Sequence, residues 1–557
     1  MKKLIAALLI SQTILAAPVT LTIQDLTQSV KIACATQDLI PALKNYSTGN
    51  DSFEITCIAK PSTPPPVTPP PTTAQEITIL DGFERPEYAL ATDFKPQVAR
   101  VVLKNQTTGF VIKSTNPCAL LGTANLFKMF KSQVTTPSYE GGRTGNFYDA
   151  LIPINATNCL TADYLYLDVT IPKAEPTGVK DIKIKDATIT LNIKATVLPD
   201  KPTMPLYVHF SNSMMYLGWY GKYEQVEHRG VEFLRALAAH RIHPYGGMVV
   251  TPTITNNLLD LNFPTTALGY KTNSLDFDSH QTLWPNYGDS ASLTAVESTA
   301  KSLGLESRSW FYTKDEPQES EIPTLKTYLQ LQKTNAPSIK RMVTTSYRSD
   351  LDGLVSVWTP VAEHYCAKKW DNTSYPCESD YLNKGETWLY VSCMSHGCST
   401  DRNGDLSAPK IAGTQTGAPD LVLDRTAAEP FNLYLLAHKY PSLKGLLYYN
   451  SVEQWKLFAQ GSDMWKHDLF NFGGNLDGTL FWPGRPGIEG LTTYEPITSI
   501  RLKLLREASY LFDILALVPD KTWVKTHIDT LITIPISMKR DIKLIEKLRS
   551  DALSRLQ

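Results

Sequence analysis

Beyond its first sixteen residues the chain contains no run of about 18 or more apolar residues, the length a helix needs to cross a bilayer, so a soluble mature protein is expected. It also lacks a surplus of either charge. Lys and Arg number 54 against 55 Asp and Glu, and a net charge of -1 leaves no basic excess to neutralise phosphates, which argues against a nucleic-acid binder. Its 30 glycines are nowhere gathered into a dinucleotide fingerprint or a phosphate cradle. No nucleophile elbow and no Ser-His-Asp order stands out, which argues against a serine hydrolase. Cysteine is sparse, and with no C-x-x-C pair a zinc site is unsupported. The remaining composition, 42% hydrophobic and 20% charged, is that of a soluble globular protein long enough to bury a large core.

What is present begins with an export leader. Met1-Lys2-Lys3 is positive, Leu4 to Leu15 is apolar but too short to span, and Ala16-Ala17 offers small residues for cleavage after Ala16. No cysteine follows closely enough to take a lipid anchor, so the destination is the periplasm or the medium. The eight cysteines fit that oxidising setting. Of about 105 pairings, the nearest-neighbour scheme is the working expectation: Cys34 with Cys57, Cys118 with Cys159, Cys366 with Cys377 and Cys393 with Cys398.

Composition then divides the chain. A small disulfide-containing unit over 17–60 is followed by a proline-dense spacer over 61–74, which favours an extended semi-rigid linker. Residues 75–200 carry short runs rich in β-branched and aromatic residues, separated by Gly, Pro and Asn, and read as a β-sandwich. From Leu206 the rhythm becomes strand, helix, strand, and predicts a closed (β/α)8 TIM barrel over 201–520 with its chemistry at the carboxyl ends of the strands. A helical segment over 521–557 ends the chain.

The chemistry concentrates in Trp310-Phe311-Tyr312-Thr313-Lys314-Asp315-Glu316-Pro317, an aromatic strand ending in two adjacent carboxylates and a proline. Neighbouring residues of a regular strand face opposite ways, so both acids reach one ligand only where the backbone turns. Paired carboxylates beside aromatic rings on an exported chain point to acid catalysis on a sugar. The plain alternative is that Asp315 caps a helix starting near Pro317.

This segment resembles the catalytic motif of glycoside hydrolase family 123, the β-N-acetylgalactosaminidases. A second likeness lies in the block Gly445-Leu446-Leu447-Tyr448-Tyr449-Asn450, then Asn475 to Gly484 and Ser499 to Glu507. The resemblance implies a retaining, substrate-assisted glycosidase that needs no cofactor. In it Glu316 would protonate the leaving oxygen, and Asp315 would hold the acetamido N–H while the sugar's own acetamido oxygen attacks. The cysteine-rich insert around 366–400 is particular to this chain. An endo-acting hydrolase of amino-sugar polysaccharide and a non-catalytic carbohydrate-binding protein are the rival readings.

Trp310, Tyr312, Trp358, Tyr390, Tyr449 and Trp482 could line a sugar cleft, since sugar C–H faces pack on aromatic rings, although such residues are more often core. Asn450 and Asp477 could bind hydroxyls or simply form turns. His240 and His243 have no nearby carboxylate to complete a metal site, and Asp401-Arg402-Asn403-Gly404-Asp405 departs from a calcium loop, so no metal is expected.

Overall fold

The computed structural model describes strand segments 19–22, 39–47, 52–59 and 77–81, and residues 99–138, 143–222, 230–245, 290–302, 310–367, 374–392, 417–471 and 474–556. The leader, the proline spacer, Cys34, the pair Cys393 and Cys398, and the segment 401–405 lie outside these residues.

The chain divides into two compact units, Met1–Ala74 and Gln75–Gln557. In the first, β1 (Val19–Thr22), β2 (Leu39–Ser47) and β3 (Ser52–Ala59) form an antiparallel sheet with β3 central.

The second unit opens with β4 (Ile77–Asp81), β5 (Ala99–Lys104), β6 (Gln106–Ser114), β7 (Leu126–Val134), β8 (Gly145–Pro153), β9 (Leu165–Ile171), β10 (Gly178–Ile184) and β11 (Ala187–Val197). Alternation along β6 and β9 sends Phe110, Ile112, Leu165 and Leu167 into a core shared with Val102 of β5 and with Ile189, Leu191 and Ile193 of β11. Strands β5, β10 and β11 make a three-stranded sheet, whereas β4, β6, β7, β8 and β9 belong to a seven-stranded antiparallel one. The remaining two strands of that larger sheet, Phe481–Gly484 and Glu495–Ser499, come from far along the chain and pair onto the β8 edge.

The buried helix Ile500–Leu517 follows directly, with Ser499 capping its first turn through the Leu502 N–H. Its charged residues are matched inside. Arg501 holds Asp149 of β8 in a two-pronged pair at 2.8 and 3.0 Å, and Asp149 also accepts the Trp482 indole N–H at 2.9 Å. Arg506 and Lys503 converge on Asp168 of β9. Burial alone would raise Asp168, but the Arg506 and Lys503 charges prevail and hold it well below the usual carboxylate range.

From β12 (Leu206–His209) onward every strand of a second seven-stranded sheet runs parallel: β13 (His243–Tyr245), β14 (Trp310–Lys314), β15 (Lys340–Val343), β16 (Val357–Trp358), β17 (Glu386–Val391) and β18 (Leu443–Tyr448), in the order β13-β12-β18-β17-β16-β15-β14. One face, with Val208, Val343, Leu389, Val391 and Leu446, packs on helical residues such as Phe233, Leu325, Leu329 and Phe431. The other carries Tyr207, Tyr245, Trp310, Tyr312, Trp388 and Tyr390.

Two expectations are corrected here. The closed eight-stranded barrel is replaced by an open half-barrel, because among the described residues no strand joins the edges β13 and β14. Between those edges the described chain supplies the helix Ser290–Ser302. The curl toward closure is nonetheless strong, since Tyr245 on one edge has its ring 6.1 Å from Trp310 and 6.4 Å from Tyr312 on the other. Nor do residues 75–200 form a self-contained sandwich, since their larger sheet is completed by 481–499 and meets the helix Ile500–Leu517.

Two of the expected disulfides lie in described regions and both are formed, Cys118–Cys159 and Cys366–Cys377. Among the described residues no helix is long and apolar enough to cross a membrane.

Candidate functional site

Parallel strands bring all their carboxyl ends to one edge of the sheet, and Asp315 and Glu316 follow β14 at that edge. Two backbone irregularities aim them. The first is a register shift, in which Tyr312 pairs with Met342 but Lys314 pairs with Val343, so one extra residue is accommodated at Thr313. Such a bulge shifts the facing phase of everything after it. Thr313 keeps the covering-helix side that alternation gives it, its hydroxyl meeting Gln332 at 2.8 Å, and beyond the bulge Asp315 comes to the same face as Tyr312, whose hydroxyl donates to Asp315 Oδ1 at 2.7 Å. The second is Glu316 itself, with φ of 41°, in the left-handed region that breaks strand alternation. That turn brings the Glu316 carboxylate to Tyr390 of β17, whose hydroxyl donates to Oε1 at 2.6 Å.

Thr344, just beyond β15, ties the pair together. Its hydroxyl donates to Asp315 Oδ1 at 2.8 Å and accepts the Glu316 N–H at 2.8 Å. Asp315 is exposed and Glu316 half-buried, while Tyr390 beneath them is only 4% exposed. Burial, reinforced by the Glu316 charge, pushes the Tyr390 hydroxyl well above its usual value, so it serves as a donor throughout the physiological range. Asp315 does not cap a helix. The short turn that follows is capped by Gln318 in a capping box with Glu321, and the helix Ile322–Asn335 starts after it.

Behind the acids lies a packed aromatic floor. Tyr207 stacks on Trp388 at 4.3 Å, and Trp310 stands edge-on to both at 4.8 and 5.1 Å. Trp388 has room because Gly445 lies opposite it, where a Cβ would sit 2.9 Å from the indole. Trp310 is buried in this floor and Tyr312 is half-buried at its upper end.

The other sequence candidates lie elsewhere. Tyr449, just beyond β18, packs against the large helix-side core, and its hydroxyl donates to Asp477 at 3.0 Å. The Tyr448 hydroxyl reaches the same carboxylate at 3.2 Å. Asn450 is a buried turn residue that accepts the Ser451 and Val452 N–H groups and donates to Glu453. Trp358 belongs to the helix-side core, with its indole N–H on the Lys384 carbonyl, and Trp482 packs between Trp465 and Phe130 at the antiparallel sheet. His243 packs edge-on to Tyr207 within β13, and His240 bonds the Ala236 carbonyl.

Sequence reasoning missed Thr344, Tyr207 and Tyr245. The one available signal was position, at or near the carboxyl ends of strands in a parallel sheet, and β13 with three residues is too short to announce itself.

A family 123 glycoside hydrolase from Clostridium perfringens, studied for glycolipid glycan hydrolysis, superposes with a TM-score of 0.53 at 10% identity, covering 86% of this chain and 97% of that one. The chain shares the fold of that family 123 glycoside hydrolase. The resemblance read from residues 310–317 thus holds at the level of architecture. A β-glucuronidase from Ruminococcus gnavus aligns at a TM-score of only 0.22 and 8% identity, covering 83% of this chain and 68% of that one. In sequence, no family description and no curated protein matches the chain.

Proposed function

We propose that the protein is an exported glycoside hydrolase that cleaves β-linked N-acetylhexosamine, N-acetylgalactosamine being favoured, with retention and with the substrate's own acetamido group as nucleophile. The observation that carries this reading is the adjacent pair Asp315 and Glu316, turned to one face by the bulge at Thr313 and the left-handed Glu316 backbone. The glycan hydrolysis studied in the protein of shared fold supports a carbohydrate substrate.

In the first half-reaction the acetamido oxygen bonds to the anomeric carbon as the bond to the leaving oxygen breaks. Glu316 gives its proton to that oxygen. Asp315 accepts the acetamido N–H and offsets the charge that builds as the oxazoline forms. In the second half-reaction water bonds to the anomeric carbon from the face the leaving group vacated as the bond to the acetamido oxygen breaks, and Glu316 takes a proton from that water. The two inversions sum to retention. In this scheme no carboxylate acts as nucleophile, because the acetamido group takes the place of the carboxylate nucleophile of ordinary retaining glycosidases. Tyr312 and Tyr390 would meet the sugar beside the acids, with Trp310 beneath.

The test is hydrolysis of nitrophenyl β-glycosides of N-acetylgalactosamine, N-acetylglucosamine and galactose by the protein and by Glu316→Gln. Release from an acetamido sugar alone, slowed most in the variant for poor leaving groups, supports the assignment. Activity confined to amino-sugar polymers would mean endo action, and binding without hydrolysis would mean a carbohydrate-binding protein.

A further inference from the structure

Both acids lean on one hydroxyl from the neighbouring strand, and we infer that Thr344 is the positioning residue of the site, the group that sets Asp315 and Glu316 at a fixed angle to each other. This deepens the hydrolytic reading above and rests on it. A backbone nitrogen can only donate, so a Thr344 lone pair takes the Glu316 N–H, and the Thr344 hydrogen goes to Asp315 Oδ1 at 2.8 Å, a nearer acceptor than the Lys314 carbonyl at 3.5 Å. One oxygen atom therefore holds the carboxylate of the first acid and the left-handed backbone of the second.

Thr344 is well placed to do so. It is 3% exposed, and its own N–H bonds the Lys314 carbonyl at 3.2 Å, so pairing between the two strands continues past the bulge up to the acids. Further along the same loop Arg348 pairs with Glu319, two residues beyond Pro317, and with Asp350. The β15 loop thus grips the β14 loop at the acids and again just after them.

The consequence is directional. Asp315 Oδ1 takes hydroxyl donors from both Tyr312 and Thr344, and among the described residues Oδ2 takes none. Rotating the carboxylate would break both bonds at once. The substrate meets a single oriented acceptor, matched to one N–H, rather than a freely turning acid.

The experiment compares Thr344→Val, which keeps the shape and removes both bonds, with Thr344→Ser, which keeps the hydroxyl. Two readouts are taken: kcat and KM on the glycoside that the unaltered protein turns over, and hydrogen exchange of the Glu316 amide. In Thr344→Val, kcat falls about 100-fold with KM within about threefold, as expected when reacting groups are misplaced and binding is kept. The Glu316 amide exchanges faster, the melting temperature is held, and Thr344→Ser restores both readouts. Unchanged kcat in Thr344→Val, or a loss that Thr344→Ser fails to restore, overturns the inference while leaving the hydrolytic reading intact. Should the unaltered protein hydrolyse nothing, the reading fails separately, and an equally protected Glu316 amide in Thr344→Val would overturn the positioning role by itself.

Discussion

Replacing Asp315 with Asn tests the site at its most specific point. Two hydroxyls, from Tyr312 and Thr344, donate to Oδ1 at 2.7 and 2.8 Å. An amide nitrogen cannot accept them, so in Asp315→Asn the carbonyl oxygen keeps the Oδ1 position and the NH2 group takes the place of Oδ2. The variant then presents a donor to the acetamido N–H. A charge-assisted bond of about 1.5–3 kcal/mol is lost, and a donor left facing a donor costs about 1–3 kcal/mol more. At 1.36 kcal/mol per factor of ten, kcat/KM should fall by about 10² to 10⁴. The fold should be indifferent, because Asp315 is exposed and both hydroxyls keep their acceptor. Steady-state kinetics on the preferred acetamido glycoside, beside a melting curve, measure both quantities. A variant within tenfold of the unaltered protein refutes the role of Asp315, and a large drop in melting temperature would make the residue structural.

Further outcomes follow from the same geometry. Glu316→Gly and Glu316→Ala both lose the carboxylate, but at φ of 41° only glycine avoids the left-handed penalty, so the glycine variant should be roughly 1 kcal/mol the more stable in urea. An alanine variant of equal or greater stability would contradict that backbone. Asp149→Ala leaves Arg501 buried without its carboxylate and the Trp482 N–H without its acceptor, a loss of about 3–5 kcal/mol by chemical denaturation. Less than about 1 kcal/mol would show the pair to be dispensable. Burial pushes His438 down to about 4, against the opposing pull of the Phe512 carbonyl. The unfolded chain takes up this proton near pH 6.5 and the folded protein only near 4, so about 3 kcal/mol of stability present above pH 6.5 is lost as pH falls through that window. His438→Gln should flatten this part of the stability profile, and an unchanged slope would assign it to other groups.

Strands and helices with enough residues to show a period were legible to within a few positions. The aromatic strand read before the acids is Trp310–Lys314, and the strand-helix rhythm read from Leu206 is realised in helices such as Ile322–Asn335 and Glu429–Lys439. What stayed hidden was either short or distant. Val357–Trp358 and His243–Tyr245 are strands only because their neighbours pair with them, and no local pattern marks two or three residues. The contact of Arg501 with Asp149 joins residues far apart in the chain, and nothing near either one announces the other. At the site, the acid pair was visible because its chemistry is local. The bulge at Thr313 was not, because it arises from a mismatch in pairing with β15. The turn expected from Pro317 is real, yet the residue that bends is Glu316.

The antiparallel sheet closes only when Thr498 and Ser499 reach Leu151 and Ala150, after the whole half-barrel has intervened in the chain. Until then β8 offers a row of unpaired amides and carbonyls, and Asp149 lacks both Arg501 and Trp482. A polypeptide cut short before residue 481 would therefore keep five strands of this sheet, β4 and β6 to β9, but would expose a sticky edge and an unmatched buried charge. The arrangement makes the last strands a clasp on the first, so proteases and aggregation would single out incomplete chains, and only a full-length one can hide its seam.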